Sequence, residues 1–107
     1  MIDYNIFKKI FNIITGEPEF EIYFKNRDDT YMIIKYNDYV TFQKCFDEQD
    51  RGEQKYKTID DLYNSILLDE INLKNDWNSI NDILIDSSFS IVDDKDEIKR
   101  IYNINLE

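Results

Sequence analysis

The sequence predicts an α+β fold: an N-terminal helix, an antiparallel three- to four-stranded meander, then two to three helices packed on one sheet face. Apolar residues recur at helical spacing near the start, alternate with polar residues through the middle, and return to helical spacing after Thr58. The turns between the alternating segments are short, which requires neighbouring strands to run antiparallel. A length of 107 residues suits one domain over positions 1–107.

The first helix is expected from about Asp3 to Thr15. Asp3 is a suitable N-cap, because its side chain can accept a hydrogen bond from a free N–H of the first turn. Gly16 and Pro18 follow as a stop signal. The apolar residues that repeat at helical spacing are Ile6, Phe7, Ile10, Phe11, Ile13 and Ile14.

Four segments are expected to form the sheet. Phe20, Ile22 and Phe24 alternate with polar neighbours in the first strand, and a β-rich run from Thr30 to Tyr36 forms the second. Asn37 and Asp38 form a tight hairpin turn, since both residue types tolerate positive φ. The remaining predicted strands are Tyr39 to about Phe46, with Val40, Phe42 and either Cys45 or Phe46 in the core, and a short edge strand at Gln54 to Lys57.

Helical spacing returns after the fourth strand. Thr58 and Asp61 resemble a capping box, and a buried stripe follows at Ile59, Leu62, Tyr63, Ile66 and Leu67. A second helix is expected from Leu73, since Leu73, Trp77, Ile80 and Leu84 share a face; this places Trp77 in the core. The run Ile83 to Ile85 fits a helix end or a strand, and Phe89 to Val92 fits a short strand. Asp94 and Glu97 predict the start of a last helix, which carries Ile98, Ile101 and Tyr102.

Composition excludes several kinds of site. The chain has no histidine, one cysteine and two glycines. Catalytic triads, zinc sites built from His and Cys, and glycine-rich phosphate loops are therefore excluded. Cys45 is expected to be a structural thiol, because Lys44 points to the opposite strand face and cannot lower its pKa. We expect no cofactor and no metal.

The formal net charge is −10. A surface of this sign repels phosphates and anionic membranes, so we expect neither direct nucleic-acid binding nor membrane binding. It favours a basic protein partner, such as a nucleic-acid-binding protein, although negative charge also serves solubility alone. The single cysteine and the absence of a signal-peptide pattern predict a cytoplasmic protein. Abundant Ile, Asn, Lys, Asp and Tyr are typical of a low-GC bacterium, its phage or another mobile element.

The leading functional hypothesis is a stoichiometric inhibitor that occludes a basic surface of its partner. Anti-CRISPR proteins, immunity proteins and nucleic-acid mimics share this general character, as a class and not through a motif. Tyrosine is enriched in interface hot spots, and several tyrosines lie on the predicted sheet. The predicted partner-binding residues, from a hairpin tip and an acidic loop beside aromatic strands, are Tyr23, Tyr36, Asp38, Tyr39, Asp47, Glu48 and Asp50.

Two alternatives remain at this point. One is a Mg²⁺-assisted hydrolase, which would use the carboxylates of Asp93, Asp94, Asp96 and Glu97. It requires at least two of them to converge in a concave pocket; acidic residues at a helix start also stabilise the helix dipole. The other alternative is a small structural subunit of an assembly, whose acidity is incidental.

Overall fold

A computed structural model describes residues 2–106, in which six strands form one antiparallel sheet with four helices packed on it. The strand order is β4-β3-β2-β1-β5-β6. The α+β class and the meander β1 to β4 are confirmed, and the strand count exceeds the predicted three to four. The elements are α1 (Tyr4–Ile13), β1 (Glu19–Phe24), β2 (Thr30–Lys35), β3 (Val40–Lys44), β4 (Gln54–Tyr56), α2 (Ile59–Asn64), α3 (Leu73–Asp76), β5 (Ile80–Ile85), β6 (Phe89–Ser90) and α4 (Lys95–Tyr102).

The two faces of the sheet differ in what covers them. Alternate strand residues on one face belong to a single hydrophobic cluster that also contains the buried residues of all four helices. The strand residues of that cluster are Phe20, Ile22, Phe24, Tyr31, Ile33, Val40, Phe42, Ile80, Ile83 and Ile85. Residues pointing to the other face, such as Glu21, Met32 and Gln43, are only half-buried. The helices therefore cover one face and leave the other open, as an α+β layer arrangement predicts.

Helix α1 is fixed at both ends by specific side chains. The Asp3 carboxylate accepts a hydrogen bond from the backbone N–H of Ile6 at 2.9 Å, as predicted for an N-cap. At the other end, Lys35 Nζ donates to the carbonyl oxygens of Phe11 at 2.7 Å and Ile14 at 2.8 Å. These carbonyls have no partner within the helix. A lysine of β2 thus ends α1 at Ile13, and burial lowers the pKa of that lysine.

The prediction that Ile80 and Leu84 continue a helix from Leu73 is wrong. Helix α3 ends at Asp76, a single 3₁₀ turn covers Trp77–Ser79, and β5 begins at Ile80. Strand β5 pairs with β1 through a register shift between Tyr23 and Phe24. A bulge of this kind places two residues opposite one, so Ile80 and Ile83 both face the core at a spacing of three. That spacing imitates a helix in the sequence.

Helix α2 is shorter than the apolar stripe predicted. The Thr58 hydroxyl accepts from the N–H of Asp61 at 3.1 Å, but the helix ends at Asn64. Asn72 replaces a further turn, since its Nδ2 donates to the carbonyls of Asn64 at 3.2 Å and Ser65 at 3.1 Å. Ile66 consequently faces solvent. In residues 2–106, no helix is both long and apolar enough to cross a membrane.

Candidate binding site on the open face of the sheet

The open face is a continuous surface built by cross-strand pairs. Its central row runs from Gln43 through Met32 and Glu21 to Leu84, each residue directly opposite the next. A second row carries Lys55, Thr41, Ile34 and Glu19, and a third carries Thr30, Tyr23 and Asp82. The apolar side chains of these rows, Met32, Ile34 and Leu84, are half-buried. We call this surface the open face.

Phe46 is the most exposed large apolar residue in the described chain. Its relative exposure is 100 %, and its φ is +54°. A bulky residue in the left-handed region is an outlier that costs about 1–2 kcal/mol. Phe46 thus combines backbone strain with an unburied aromatic ring. The prediction that Cys45 or Phe46 contributes to the core is wrong. The chain leaves β3 at Lys44, and the left-handed turn directs the Phe46 ring outward. Cys45 is half-buried on the open face and does not belong to the core cluster.

A groove of about 370 Å³ lies on the open face beside Phe46. Its lining is mostly apolar and comes from β1, β2 and the end of β3. The lining residues are Glu21, Tyr23, Thr30, Met32, Cys45 and Phe46. Phe46 also borders a second depression of about 280 Å³, which is lined by Asp29, Lys44, Asp47, Glu48 and Gln49 as well. The ring therefore lies between an apolar groove and a polar one.

The predicted tyrosines Tyr23, Tyr36 and Tyr39 all lie on or beside the open face. The Tyr23 hydroxyl donates to Glu21 Oε2 at 2.7 Å, which with partial burial raises the pKa of Tyr23 to about 12. Tyr36 stacks on Tyr39 with ring centroids 4.7 Å apart, and Lys55 Nζ lies 3.9 Å from the centre of the Tyr39 ring. Both contacts have the geometry of favourable aromatic and cation–π interactions.

Other tyrosines near the sheet point to the helices. Tyr31 is fully buried, and its ring stacks on Phe42. Tyr63 stacks on Tyr4 with ring centroids 3.5 Å apart. The sheet therefore divides its tyrosines between its two faces, which explains how a single layer accommodates so many.

Asp47 lies inward and shapes the loop after β3. Arg51 donates through Nε to Asp47 Oδ2 at 2.9 Å and through Nη1 to Asp69 Oδ1 at 2.9 Å. The Asp47 side chain is only 8 % exposed, and the Arg51 guanidinium lowers the pKa of this carboxyl to about 2. Tyr31 donates to the same Asp69, whose pKa is also lowered. This network holds the loop that follows Phe46 in one conformation.

The seven predicted contact residues fall into two groups. Tyr36, Asp38 and Tyr39 lie at the β2–β3 hairpin, whereas Tyr23 and the loop of Asp47, Glu48 and Asp50 lie at the other end of β3. The ends of this five-residue strand are about 13 Å apart at 3.3–3.4 Å per residue. Asp38, Glu48 and Asp50 are exposed. The structure therefore does not bring the two groups into contact; the open face connects them.

The candidate hydrolase carboxylates have local partners or face solvent. Asp94 Oδ2 accepts from the Ser90 N–H at 2.7 Å, so it closes a turn and does not cap α4 through its side chain. Glu97 pairs with Arg100 at 2.5 Å, and Asp93 and Asp96 are exposed. Among residues 2–106, no three or more acidic or thiol side chains are arranged to hold a metal ion.

Cys45 lies half-buried in the groove, on the face opposite Lys44. Burial first, and then the charges of Glu21 and Glu19, raise the pKa of the Cys45 thiol. Lys44 instead contacts Asp29 at 3.4 Å and Asp69 at 3.6 Å on the helix side. The thiol therefore stays protonated at neutral pH, which is typical of an unreactive cysteine.

Sequence reasoning missed Phe46, Met32 and Glu21 as candidate site residues. Strand alternation contained the signal for two of them, because Glu21 lies between Phe20 and Ile22, and Met32 alternates with Tyr31. Phe46 had no such signal. Continued alternation from Phe42 would place it in the core, and nothing in its own residue type indicates a left-handed turn.

Comparison of the chain with protein-family models, with curated proteins and with solved structures finds no match.

Proposed function

We propose that this chain is a non-enzymatic protein-binding module whose open face, with Phe46 at its edge, is the interface. The observation that carries the proposal is the full exposure of Phe46 on a left-handed residue. Strained residues persist where the surroundings hold them and cluster at functional sites. An aromatic ring left in water gains free energy when a partner buries it, as interface hot spots do.

The charge of the molecule supports a basic partner. Exposed carboxylates of Asp38, Glu48 and Asp50 lie at the two ends of the open face, and the net charge is −10. Long-range attraction would steer a positively charged protein to this surface and repel nucleic acid. A small acidic protein covering the basic groove of a nucleic-acid-binding protein would act as a stoichiometric inhibitor. We place it in the cytoplasm of a low-GC bacterium, as a product of the cell or of its phage.

The test is a comparative pull-down from the lysate of a low-GC bacterium. Tagged wild-type protein, Phe46→Asn and Ile66→Asn are used as baits, and bound proteins are eluted with increasing salt and identified by mass spectrometry. Ile66 is a matched control, since it is 68 % exposed but lies after α2, away from the open face. Asparagine tolerates positive φ, so Phe46→Asn keeps the backbone at position 46.

We expect one basic protein that wild type and Ile66→Asn retain at low salt and release at high salt, and that Phe46→Asn fails to retain. The purified partner should then lose its nucleic-acid binding at a one-to-one ratio. Equal recovery by all three baits, or recovery of nothing, would contradict the proposed interface.

A further inference from the structure

The groove between Tyr23 and Phe46 has the chemistry of a side-chain pocket. Its floor includes the Met32 thioether and the Cys45 thiol, and aromatic rings border it. Met32 also accepts a contact from Gln43 Nε2 to its sulfur at 3.8 Å, which holds the thioether in place. The aliphatic part of a long side chain could therefore lie along this floor, between the rings of Tyr23 and Phe46.

Glu21 gives the groove a negative end. Its Oε2 accepts from the Tyr23 hydroxyl at 2.7 Å, and its Oε1 accepts from the Ser87 hydroxyl. A carboxylate offers about four lone-pair positions, so these two neutral donors leave acceptor capacity on both oxygens. They also fix the carboxylate's orientation. Within residues 2–106, no lysine or arginine pairs with Glu21.

We infer that this groove binds an arginine side chain presented by the basic partner, a conclusion that rests on the proposed function and names what the partner contributes. The aliphatic stem packs on Met32, the guanidinium lies against the Phe46 or Tyr23 ring, and its N–H groups donate to Glu21. This assignment accounts for three features of the groove: an apolar floor, aromatic borders, and an oriented carboxylate that pairs with no lysine or arginine of the described residues.

Arginine fits this groove better than lysine does. A guanidinium is planar, stacks on aromatic faces, is weakly hydrated and can donate two parallel hydrogen bonds to a carboxylate. A lysine ammonium is strongly hydrated, and it complements the charge of the Glu21 carboxylate without matching its planar geometry. Anionic groups are disfavoured because the carboxylates of Glu21 and Glu19, which lie on the open face, repel negative charge.

The test is a titration of the protein with blocked peptides, followed by NMR. The probes are Gly-Ser-Arg-Ser-Gly, acetylated and amidated, and two counterparts in which citrulline or lysine replaces arginine. Citrulline has nearly the same shape but no charge. The observed signal is the Met32 methyl group, assigned with a Met32→Leu variant. The proteins compared are wild type, Glu21→Gln, Phe46→Asn and the control Asp61→Asn, which removes an exposed carboxylate of α2, outside the open face.

We expect saturable shifts of the Met32 methyl with the arginine peptide, at an affinity about fivefold or more above that of the citrulline peptide. The affinity of the lysine peptide should lie between those of the arginine and citrulline peptides. Glu21→Gln and Phe46→Asn should each weaken binding severalfold, and Asp61→Asn should bind as wild type does. Equal affinities for arginine and citrulline, no Met32 shift, or equal weakening by Asp61→Asn would overturn the inference.

The outcome separates the two proposals. A pull-down that depends on Phe46, together with a peptide titration that does not depend on Glu21, would retain the interface and refute the arginine pocket. A Met32 shift that depends on Glu21, together with a pull-down that ignores Phe46, would retain the pocket and refute the open face as the interface.

Discussion

Tyr31 and Tyr23, on adjacent strands, show how the two faces of the sheet differ. Tyr31 is fully buried under the helices, stacks on Phe42, and donates to Asp69. Tyr23 is half-buried on the open face and donates to Glu21. The pKa of each phenol is raised to about 12, but burial is the main cause at Tyr31 and the carboxylate hydrogen bond is the main cause at Tyr23.

The covered face of the sheet stabilises the fold, whereas the open face is available for binding. On the covered face, ring and hydroxyl both find partners within the chain, and Asp69 is in turn neutralised by Arg51. On the open face, Glu21 is oriented by Tyr23 and Ser87 but pairs with no lysine or arginine among residues 2–106, and Phe46 is fully exposed. Residues of the covered face should therefore control stability, whereas residues of the open face should control association with little effect on stability.

The largest effect is expected from Phe42→Ala on the covered face. Phe42 is fully buried, and truncation of a buried phenylalanine costs about 3–5 kcal/mol of the free energy of unfolding through lost burial and the cavity left behind. Urea denaturation measures it. Met32→Ala, on the adjacent strand but the opposite face, is the control and should cost clearly less. Equal losses would show that the two faces contribute alike to stability.

The second expected effect is a loss of stability at low pH. The pKa of Asp47 is lowered to about 2 by Arg51, and those of Asp60 and Asp69 are lowered by Lys8 and Tyr31 respectively. Each folded pKa lies below the unfolded value of about 3.9. The stabilisation is therefore complete above about pH 5 and is lost as pH falls through 4 toward 2.

The urea midpoint between pH 7 and pH 2 measures this loss. Arg51→Gln removes the partner of Asp47, so its midpoint should be lower at pH 7 and depend less on pH than that of wild type. Lys57→Gln changes the net charge equally and alters an exposed side chain. Identical pH profiles for wild type and Arg51→Gln would refute the role of this ion pair.

The two tyrosines allow a smaller, matched comparison. Tyr31→Phe removes the hydroxyl that donates to Asp69 from a fully buried residue, and should cost about 1 kcal/mol. Tyr23→Phe makes the same change on the open face, where water can replace the lost donor, and should cost less than about 0.5 kcal/mol. Thermal and urea unfolding of both variants give the difference. A larger loss for Tyr23→Phe would reverse the assignment of the faces.

The smallest effect on stability is expected from Phe46→Asn. The ring makes no buried contact to lose, and asparagine tolerates the left-handed backbone better. The free energy of unfolding should stay the same or rise by about 0.5 kcal/mol, while partner binding falls. A clear loss of stability in urea would mean that Phe46 packs within the fold.

Local patterns predicted most of the fold. Asp3 caps α1, alternation at Phe20, Ile22 and Phe24 gives β1, and Thr58 starts α2, each through interactions within a few residues. The predicted secondary structure was wrong where contacts between residues far apart in the sequence determined the local structure. The bulge opposite Tyr23 gave β5 a helix-like spacing, and Asn72 ended α2 early.

The candidate site was harder to predict from the sequence than the fold was. Placing Tyr23, Tyr36 and Tyr39 needed only the strand period, and the structure puts them on or beside the open face. Whether the Asp47 carboxylate is available to a binding partner depends on its ion pair with Arg51, which also pairs with Asp69. Asp69 lies 22 positions beyond Asp47 in the sequence, on another element. Such loop conformations are set by tertiary contacts that no local pattern encodes.

Site-specific photocrosslinking tests the central claim most directly. Benzoylphenylalanine replaces Phe46 in one variant and Ile66 in another, and each is irradiated in lysate and analysed by mass spectrometry. We predict a discrete crosslink to one basic protein from position 46, weakened by salt, and none of that product from position 66. The same product from both positions, or from position 66 alone, would contradict a binding role for the open face.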